Sequence, residues 1–311
     1  MSNLSFEILI NDAFANLCGE ENLTPIENKH VLSLMNGFED KKWREGLFSN
    51  FVWDNIAETA LSLRERNNLI DQNHTSLVQA SKNLRLTDKD KDEAGRGSEL
   101  AEIFLYGIMK CHYGALSVVP KIFYKQNVQD NAKGMDTVHI VVTPDKQFSL
   151  WFGEAKFYNS IEDVRLDKIV KSVHSSLQTN KLKKENSIIT SVSDLDEIDL
   201  DSEVRDSIKK LLSHTSSIDD LKPKLNVPVL LLHECAITQQ TTDLSEEYRE
   251  KLKEYHRDRA LSYFKKQIKK CAGIHKYSDI KFHIILFPVP KKTPLVDCFI
   301  KNVEHYKGQP T

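Results

Sequence analysis

The stretch that decides the fold runs from residue 98 to residue 158. Its three segments are SELAEIFLYGIMKCHYG at 98–114, GMDTVHIVV at 134–142 and QFSLWFGEAKFY at 147–158. In the first segment apolar residues recur at helical spacing, which predicts an amphipathic helix with Ser98 as its N-cap. The other two segments, together with residues 116–124, have the composition and alternation of strands. The sequence therefore predicts a helix followed by an antiparallel three-stranded meander.

Further elements are predicted on both sides of this stretch. Upstream lie an extended segment, SFEILI at 5–10, and a helix at 51–70; downstream lie helices at 161–177, 244–271 and 296–306 and strands at 227–237 and 280–289. The two late strands are separated by a helix, which is typical of a parallel or mixed sheet. The predicted fold class is α/β, with a mixed sheet flanked by helices.

Charge runs suggest where the chain is divided. The segment TDKDKDEAGRG at 87–97 is dense in charge and ends with two glycines, which favours a connection between units. We expect an N-terminal region of unclear role at 1–94 and the chemistry-bearing domain at 95–311. The acidic segment 194–206 is expected to be a solvated, mobile surface loop. The helix at 244–271 ends in basic residues. Their favourable interaction with the helix dipole is a better explanation of this charge than a DNA contact.

The composition excludes several classes of protein. The 311 residues include 43 Lys and Arg against 45 Asp and Glu, a net charge of −2, so the chain is not a basic nucleic-acid-binding arm. Hydrophobic residues make up 40%, and the five cysteines form no CxxC pair, so we expect a packed core with reduced thiols. No apolar stretch approaches the roughly 18 residues of a membrane span, and no secretory signal is evident. A soluble, cytoplasmic protein is expected.

Three residues of the central stretch form a pattern with chemical meaning. Asp136 begins one predicted strand, and Glu154 and Lys156 end the next. Residues two apart on a strand share a face, and pairing of adjacent strands can bring Asp136 beside them. Mg²⁺ is commonly held by one or two carboxylates together with substrate oxygens and water. A neighbouring lysine can orient or help to deprotonate the attacking water and offset charge on a phosphate.

The preceding helix offers two candidates for a third acid. On a helical wheel of about 100° per residue, Glu99 lies roughly 110° from the centre of the apolar face, whereas Glu102 lies nearly opposite it. An acid at the border of the buried face can reach a metal at the rim of the sheet. We therefore prefer Glu99 as the third acid. Glu102, whose position on the wheel suits a solvated residue, stays open as the alternative.

The helix, the hairpin, the aspartate and the ExK tripeptide follow one another in an order that resembles the PD-(D/E)XK nuclease superfamily. More specifically, GRGSELAEIFL at 95–105, KGMDTVHIVV at 133–142 and LWFGEAKFYNS at 150–160 look like the HamA family, the nuclease subunits of Hachiman anti-phage defence systems. The proline of the superfamily's name is replaced here by Met135. The resemblance is strong over residues 95–160.

The resemblance implies a restriction-endonuclease-like fold and metal-dependent cleavage of DNA in the bacterial cytoplasm. It implies Mg²⁺, with Mn²⁺ as an alternative, held by Asp136, Glu154 and Glu99, with Lys156 as the catalytic lysine. It also implies a partner, a HamB-like superfamily 2 helicase, which restrains the nuclease until it engages damaged or altered DNA.

Other interpretations of these residues stay open at this point. Glu154 and Lys156 could form an ordinary ion pair on a strand, and the chain could be a catalytically silent, nuclease-like adaptor that binds a helicase or DNA. His139 and His174 could carry protons, although a structural role is favoured for both. Three basic residues near the motif could contact phosphates or simply be solvated: Lys125, Lys133 and Arg165.

Overall fold

A seven-stranded mixed sheet forms the centre of the molecule. The computed structural model describes residues 4–19, 23–86, 97–124, 134–191, 194–213 and 215–310. The strands are β1 (Glu7–Ala13), β2 (Lys29–Met35), β3 (Phe38–Glu39), β4 (Lys42–Trp43), β5 (Leu116–Val119), β6 (Thr137–Val142), β7 (Phe148–Tyr158), β8 (Leu225–Glu234) and β9 (Lys281–Val289). Strands β3 and β4 form a separate two-stranded ribbon.

The order of strands across the sheet is β1-β2-β9-β8-β7-β6-β5. The four central strands, β2, β9, β8 and β7, run parallel, while β1 pairs antiparallel with β2 at one edge. Strands β5, β6 and β7 form the predicted antiparallel meander. The prediction of a mixed sheet flanked by helices is therefore confirmed, as is the parallel pairing of the two late strands.

Helices surround this sheet. They are α1 (Phe14–Leu17), α2 (Glu45–Asp54), α3 (Ile56–Ala60), α4 (Leu63–Asn68), α5 (Asn73–Asn83), α6 (Ser98–Tyr113), α7 (Lys121–Tyr124), α8 (Asp163–Ser176), α9 (Thr179–Ser191), α10 (Asp194–Glu197), α11 (Ser202–Leu212), α12 (Ile218–Leu221), α13 (Ala236–Gln240), α14 (Glu246–Cys271) and α15 (Lys292–Lys307). Two single 3₁₀ turns lie at Lys222–Lys224 and Tyr277–Asp279.

Two predicted elements have different bounds in the structure. The strand predicted at 116–124 ends at Val119, because Pro120 has no N–H to donate to a strand ladder, and α7 follows. The single helix predicted at 51–70 is divided among α2, α3 and α4. Helix α4 has its own start, since Ser62 and Glu65 form a reciprocal capping box.

Two further local predictions were wrong. The acidic segment predicted as a loop at 194–206 contains α10 and the start of α11, whose N-cap is Asp201. The N-cap of α6 is Gly97 rather than Ser98. Gly97 has a φ of 87°, and an added Cβ would stand 2.8 Å from Val296 Cγ2, so both conformation and space favour glycine there.

The two faces of the sheet are covered by different helices. Helix α6 packs on one face of β7, against Trp151, Ala155 and Phe157. On the other face, Leu150 and Phe152 belong to the core that includes residues of α8 and α14. Because successive residues of a strand alternate between faces, Glu154 and Lys156 point toward the α8 side.

The N-terminal region belongs to the same sheet. Strand β2 pairs in parallel with β9, and Phe6 packs against Phe104 of α6 and Phe287 of β9. The sheet and core are thus continuous between this region and the later part of the chain. The predicted boundary itself, at 94/95, lies outside the described residues. Within the described ranges, no helix has both the length and the apolar character to cross a membrane.

Candidate active site

Strand pairing brings three of the predicted site residues together. Thr137 of β6 is opposite Gly153 of β7, and the N–H of Asp136 donates a 2.8 Å hydrogen bond to the carbonyl oxygen of Gly153. Asp136 therefore lies beside Glu154, on the face that also carries Lys156. The cluster lies at the start of β6. From Glu154 onward β7 extends beyond β6 and is paired with β8.

A single ammonium group links the two carboxylates of this cluster. Lys156 Nζ lies 2.8 Å from Glu154 Oε1 and 3.1 Å from Asp136 Oδ2. It also donates to the carbonyl oxygen of Ala155 at 3.1 Å. Asp136 Oδ2 accepts a second hydrogen bond, at 3.0 Å, from the backbone N–H of Ala155. The side chains of Asp136 and Lys156 are thus held by backbone groups of Ala155 on β7 as well as by one another.

Burial differs sharply among the three groups. The side chain of Glu154 is 4% exposed, that of Asp136 15% and that of Lys156 28%. Burial and then the charge of Asp136 raise the pKa of Glu154, although Lys156 and Ser172 act in the opposite direction. Burial alone would lower the pKa of Lys156, but the two carboxylates outweigh it and raise that pKa above the ordinary lysine value. Lys156 is therefore a cation throughout the neutral range.

The donor set fits a hard divalent cation. Both carboxylates already surround a positive charge, since Asp136 and Glu154 each lie within hydrogen-bonding distance of the same ammonium. Two carboxylates, completed by water and phosphate oxygens, are a usual set for Mg²⁺. Among the described residues, however, no group of three or more His, Cys, Asp or Glu side chains is arranged to hold a metal. Any cation here would need ligands from solvent or substrate.

Comparison with known families shows to which family the chain belongs. The model of the family described as HamA matches residues 12–303, nearly the whole length of the chain. The chain belongs to the HamA family. HamA proteins are part of the Hachiman anti-phage defence context, which agrees with the resemblance found in the sequence. No curated protein matches the chain. The matched span begins at Asp12, at the end of β1, and includes all of β2, so β2 is part of the HamA unit.

Glu99, the predicted third acid of this HamA chain, has other partners. Its two carboxylate oxygens accept hydrogen bonds of 2.8 Å from the backbone N–H groups of Arg85 and Leu86. It also lines a small crevice with Phe299 of α15. The described contacts therefore do not bring Glu99 to the cluster of Asp136, and its role as a metal ligand stays a prediction.

Glu102 is not solvated, contrary to expectation. Only 5% of the residue is exposed. The wheel argument assumed one buried face, but α6 packs against β7 on one side and against α2 and α3 on others. A helix enclosed in this way buries nearly every residue of its first three turns, including those opposite the sheet.

A buried ion pair that the sequence did not reveal holds the backbone directly before Asp136. Lys121 Nζ lies 2.5 Å from Glu185 Oε2, and both side chains are almost fully buried. Glu185 Oε1 also accepts a 3.1 Å hydrogen bond from the N–H of Met135, directly before Asp136. A Cβ on Gly134 would stand 1.3 Å from that oxygen, so only glycine fits. The sequence signal was the glycine before Met135, but nothing indicated its partner.

Basic and aromatic groups flank the cluster. Arg165 of α8 stacks on the ring of Tyr158, with its Cζ 5.4 Å from the ring centroid. Burial, above all, raises the pKa of Tyr158. The nearby charge of Lys156 lowers this pKa and that of Glu154 raises it. Arg165 is therefore near the cluster, as its position in the sequence suggested. Lys125 and Lys133 lie outside the described residues.

The two candidate proton carriers lie in different settings. His139 points to the α6 side of the sheet, where it packs 4.4 Å from the ring of Tyr106. Burial lowers its pKa to about 3, so this ring is neutral at physiological pH. His174 is half-buried on α8. His139, at least, is a structural histidine.

Proposed function

We propose that this HamA family member is a metal-dependent DNA nuclease that hydrolyses phosphodiester bonds. The observation that supports this proposal is the contact of Lys156 Nζ with both Glu154 and Asp136 at the rim of the sheet. Burying two carboxylates and a lysine together costs free energy unless they pair with one another or bind a ligand. Their partial exposure leaves one side open to a substrate.

Asp136 and Glu154 would hold Mg²⁺, with Mn²⁺ as a substitute. When bound, the metal would supply positive charge that polarises a phosphate and acidifies a water molecule. Asp136 is oriented in advance, since Ala155 N–H fixes one of its oxygens. The ammonium of Lys156, whose pKa is raised, acts as a fixed cation that orients the attacking water and offsets charge on the phosphate.

The cleavage proposal is tested by a plasmid assay on the purified chain. The double variant Glu154→Ala with Lys156→Ala is compared with Glu247→Ala with Lys251→Ala, an exposed Glu–Lys pair on α14. We expect cleavage of supercoiled DNA that requires Mg²⁺ and is lost, by at least about 10³-fold, in the first variant only. Circular dichroism verifies that both variants are folded.

Retained cleavage in the Glu154/Lys156 variant would refute the proposal. If the unaltered chain cuts neither plasmid nor linear DNA, with the helicase partner present as well as absent, the alternative of a catalytically silent adaptor would be favoured.

We also propose that a HamB-like superfamily 2 helicase binds and restrains this nuclease, as the family resemblance implies. The small net charge of −2 supports a division of labour in which the partner contributes most of the DNA binding. The isolated chain is therefore expected to cut faster than the complex. An unchanged cleavage rate when the helicase is added to undamaged DNA would contradict restraint.

A further inference from the structure

A polar concavity, separate from the cluster of Asp136, Glu154 and Lys156, lies at the edge of the sheet where β2, β8 and β9 end. The ribbon of β3 and β4 forms one wall, and the segments around α13 and the start of α15 form the others. The cavity has a volume of about 410 Å³. We call it the ribbon groove and define it by Lys41, Lys42, Trp43, Gln239, Thr242 and Lys291. Ligands of α/β proteins commonly bind beyond the carboxyl ends of parallel strands.

The residues that line the ribbon groove carry an excess of positive charge, with three lysines against one acid. Lys41, Lys42 and Lys291 are all exposed, and none of them makes an ion pair with a carboxylate in the described part of the chain. Among the described lining residues, Glu45 is the one acid. Glu39, on the same ribbon, is instead 3.9 Å from Arg44. Three lysines facing one concavity favour a polyanion, because its counterions are released on binding.

Aromatic and polar groups stand beside these lysines. The ring of Trp43 is half-buried and packs 5.4 Å from the ring of Phe48, which fixes its orientation. Gln239 and Thr242 are exposed and can donate hydrogen bonds. Positive charge along a groove combined with an aromatic platform is the usual arrangement for a single nucleic-acid strand, whose bases can stack. A duplex keeps its bases away from such a platform.

The ribbon groove lies at the same edge of the sheet as the carboxylate cluster. Lys156 pairs with Leu231, Leu231 with Leu286, and Leu286 with Ser33, so these residues form one row across four parallel strands. The groove residues follow this row on β2, β8 and β9. With strands about 4.8 Å apart, β2 is about 15 Å from β7 across the sheet. A short oligonucleotide can span that distance.

We propose that the ribbon groove binds a single strand of nucleic acid and directs it toward Asp136, Glu154 and Lys156. The connection to cleavage depends on the proposed nuclease function, whereas binding itself does not. The phosphates contact Lys41, Lys42 and Lys291, and a base stacks on Trp43.

Binding is measured by fluorescence anisotropy on the full chain, with a labelled oligothymidylate of about 12 nucleotides and EDTA present, so that no cleavage is needed. The test variant is Lys41→Gln with Lys42→Gln and Lys291→Gln. The matched control is Lys265→Gln with Lys269→Gln and Lys270→Gln, three exposed lysines at the end of α14. Both variants remove the same charge, and neither alters a buried side chain.

The test variant is expected to bind at least about tenfold more weakly. The slope of log K against log salt concentration should fall in magnitude by about 2, since each lost phosphate contact contributes about 0.7 to it. Trp43→Ala should weaken binding about tenfold with little change in salt dependence. The α14 control should bind as the unaltered chain does, and duplex DNA should bind less tightly than the single strand.

Three results would overturn the proposal: no binding by the unaltered chain, unchanged affinity in the test variant, or an equal loss in the α14 control. Loss of helicase binding with unchanged oligonucleotide affinity would mean that the groove serves a protein partner instead. If the expected losses occur but no condition yields cleavage, the groove assignment stands and the proposed nuclease function fails.

Discussion

Ser172 of α8 donates a hydrogen bond from Oγ to Oε1 of Glu154, at 2.7 Å. The same oxygen lies 2.8 Å from Lys156 Nζ. A carboxylate buried to this extent needs such partners to remain ionised, because burial favours its neutral form. The first helix after β7 therefore adjusts the charge of the acid that β7 carries.

Removing this hydrogen bond should change the pH dependence of cleavage. Ser172 lowers the pKa of Glu154, so Ser172→Ala raises a pKa that burial and Asp136 have already raised. In the proposed mechanism cleavage requires the ionised form of Glu154, so the acid limb of the rate profile is expected to move to higher pH. Rates below the new midpoint should fall severalfold, while rates on the alkaline plateau change little. The measurement is a pH–rate profile, with Ser175→Ala on the exposed side of α8 as control. A profile that does not move would contradict this role.

The ion pair of Lys121 and Glu185 should matter for stability more than any exposed pair. Glu185→Gln leaves the ammonium of Lys121 buried without a countercharge, which costs about 3–5 kcal/mol. Lys110→Gln, which breaks an exposed pair with Glu58, should cost less than about 1 kcal/mol. Urea unfolding measures both. The double change Lys121→Met with Glu185→Met is expected to recover part of the loss; equal effects of the two single variants would exclude a structural role for the buried pair.

Gly153 is required by packing between β7 and α6. A Cβ there would stand 2.2 Å from Thr137 Oγ1 and 2.8 Å from Leu105 Cδ2, so Gly153→Ala should destabilise the fold by about 1–3 kcal/mol. The control is Gly46→Ala in α2, where nothing lies within 4 Å of the new Cβ. That change should stabilise the chain by up to about 1 kcal/mol. Thermal unfolding of the two variants would refute the packing argument if both midpoints moved in the same direction.

Arg165 is expected to contribute to DNA affinity. Its guanidinium lies over Tyr158, beside the cluster, where it can contact a phosphate. Arg165→Gln should raise KM by about tenfold with a smaller effect on kcat, whereas Lys168→Gln, on the exposed side of α8, should change neither. Steady-state cleavage at several salt concentrations checks this. An effect confined to kcat would place Arg165 in the chemical step instead.

Much of the fold follows from local patterns. Alternating and helical spacing located β6, β7, α6, α8 and α14 to within a few residues. The same alternation placed Glu154 and Lys156 on one face, and the meander brought Asp136 beside them. These results are predictable because strand periodicity and hairpin pairing are properties of short segments.

Glu99 and Glu102 show where local patterns fail. Periodicity describes one buried face of a helix, but α6 is enclosed by the sheet and by α2 and α3, so Glu102 is buried. Glu99 is engaged by backbone groups that follow α5. Neither outcome depends on spacing within α6, because both are set by segments that the sequence does not mark as neighbours.

The sequence by itself determined the order of helix, three strands and helix from residue 98 to residue 177, the α/β class and the run of Asp136, Glu154 and Lys156. Only the tertiary structure decided that β2 lies beside β9, that Glu185 pairs with Lys121 near Asp136, and that three separate lysines line one groove. The physical reason is that periodicity and turn chemistry act over a few residues, whereas burial and charge pairing depend on groups brought together from distant segments.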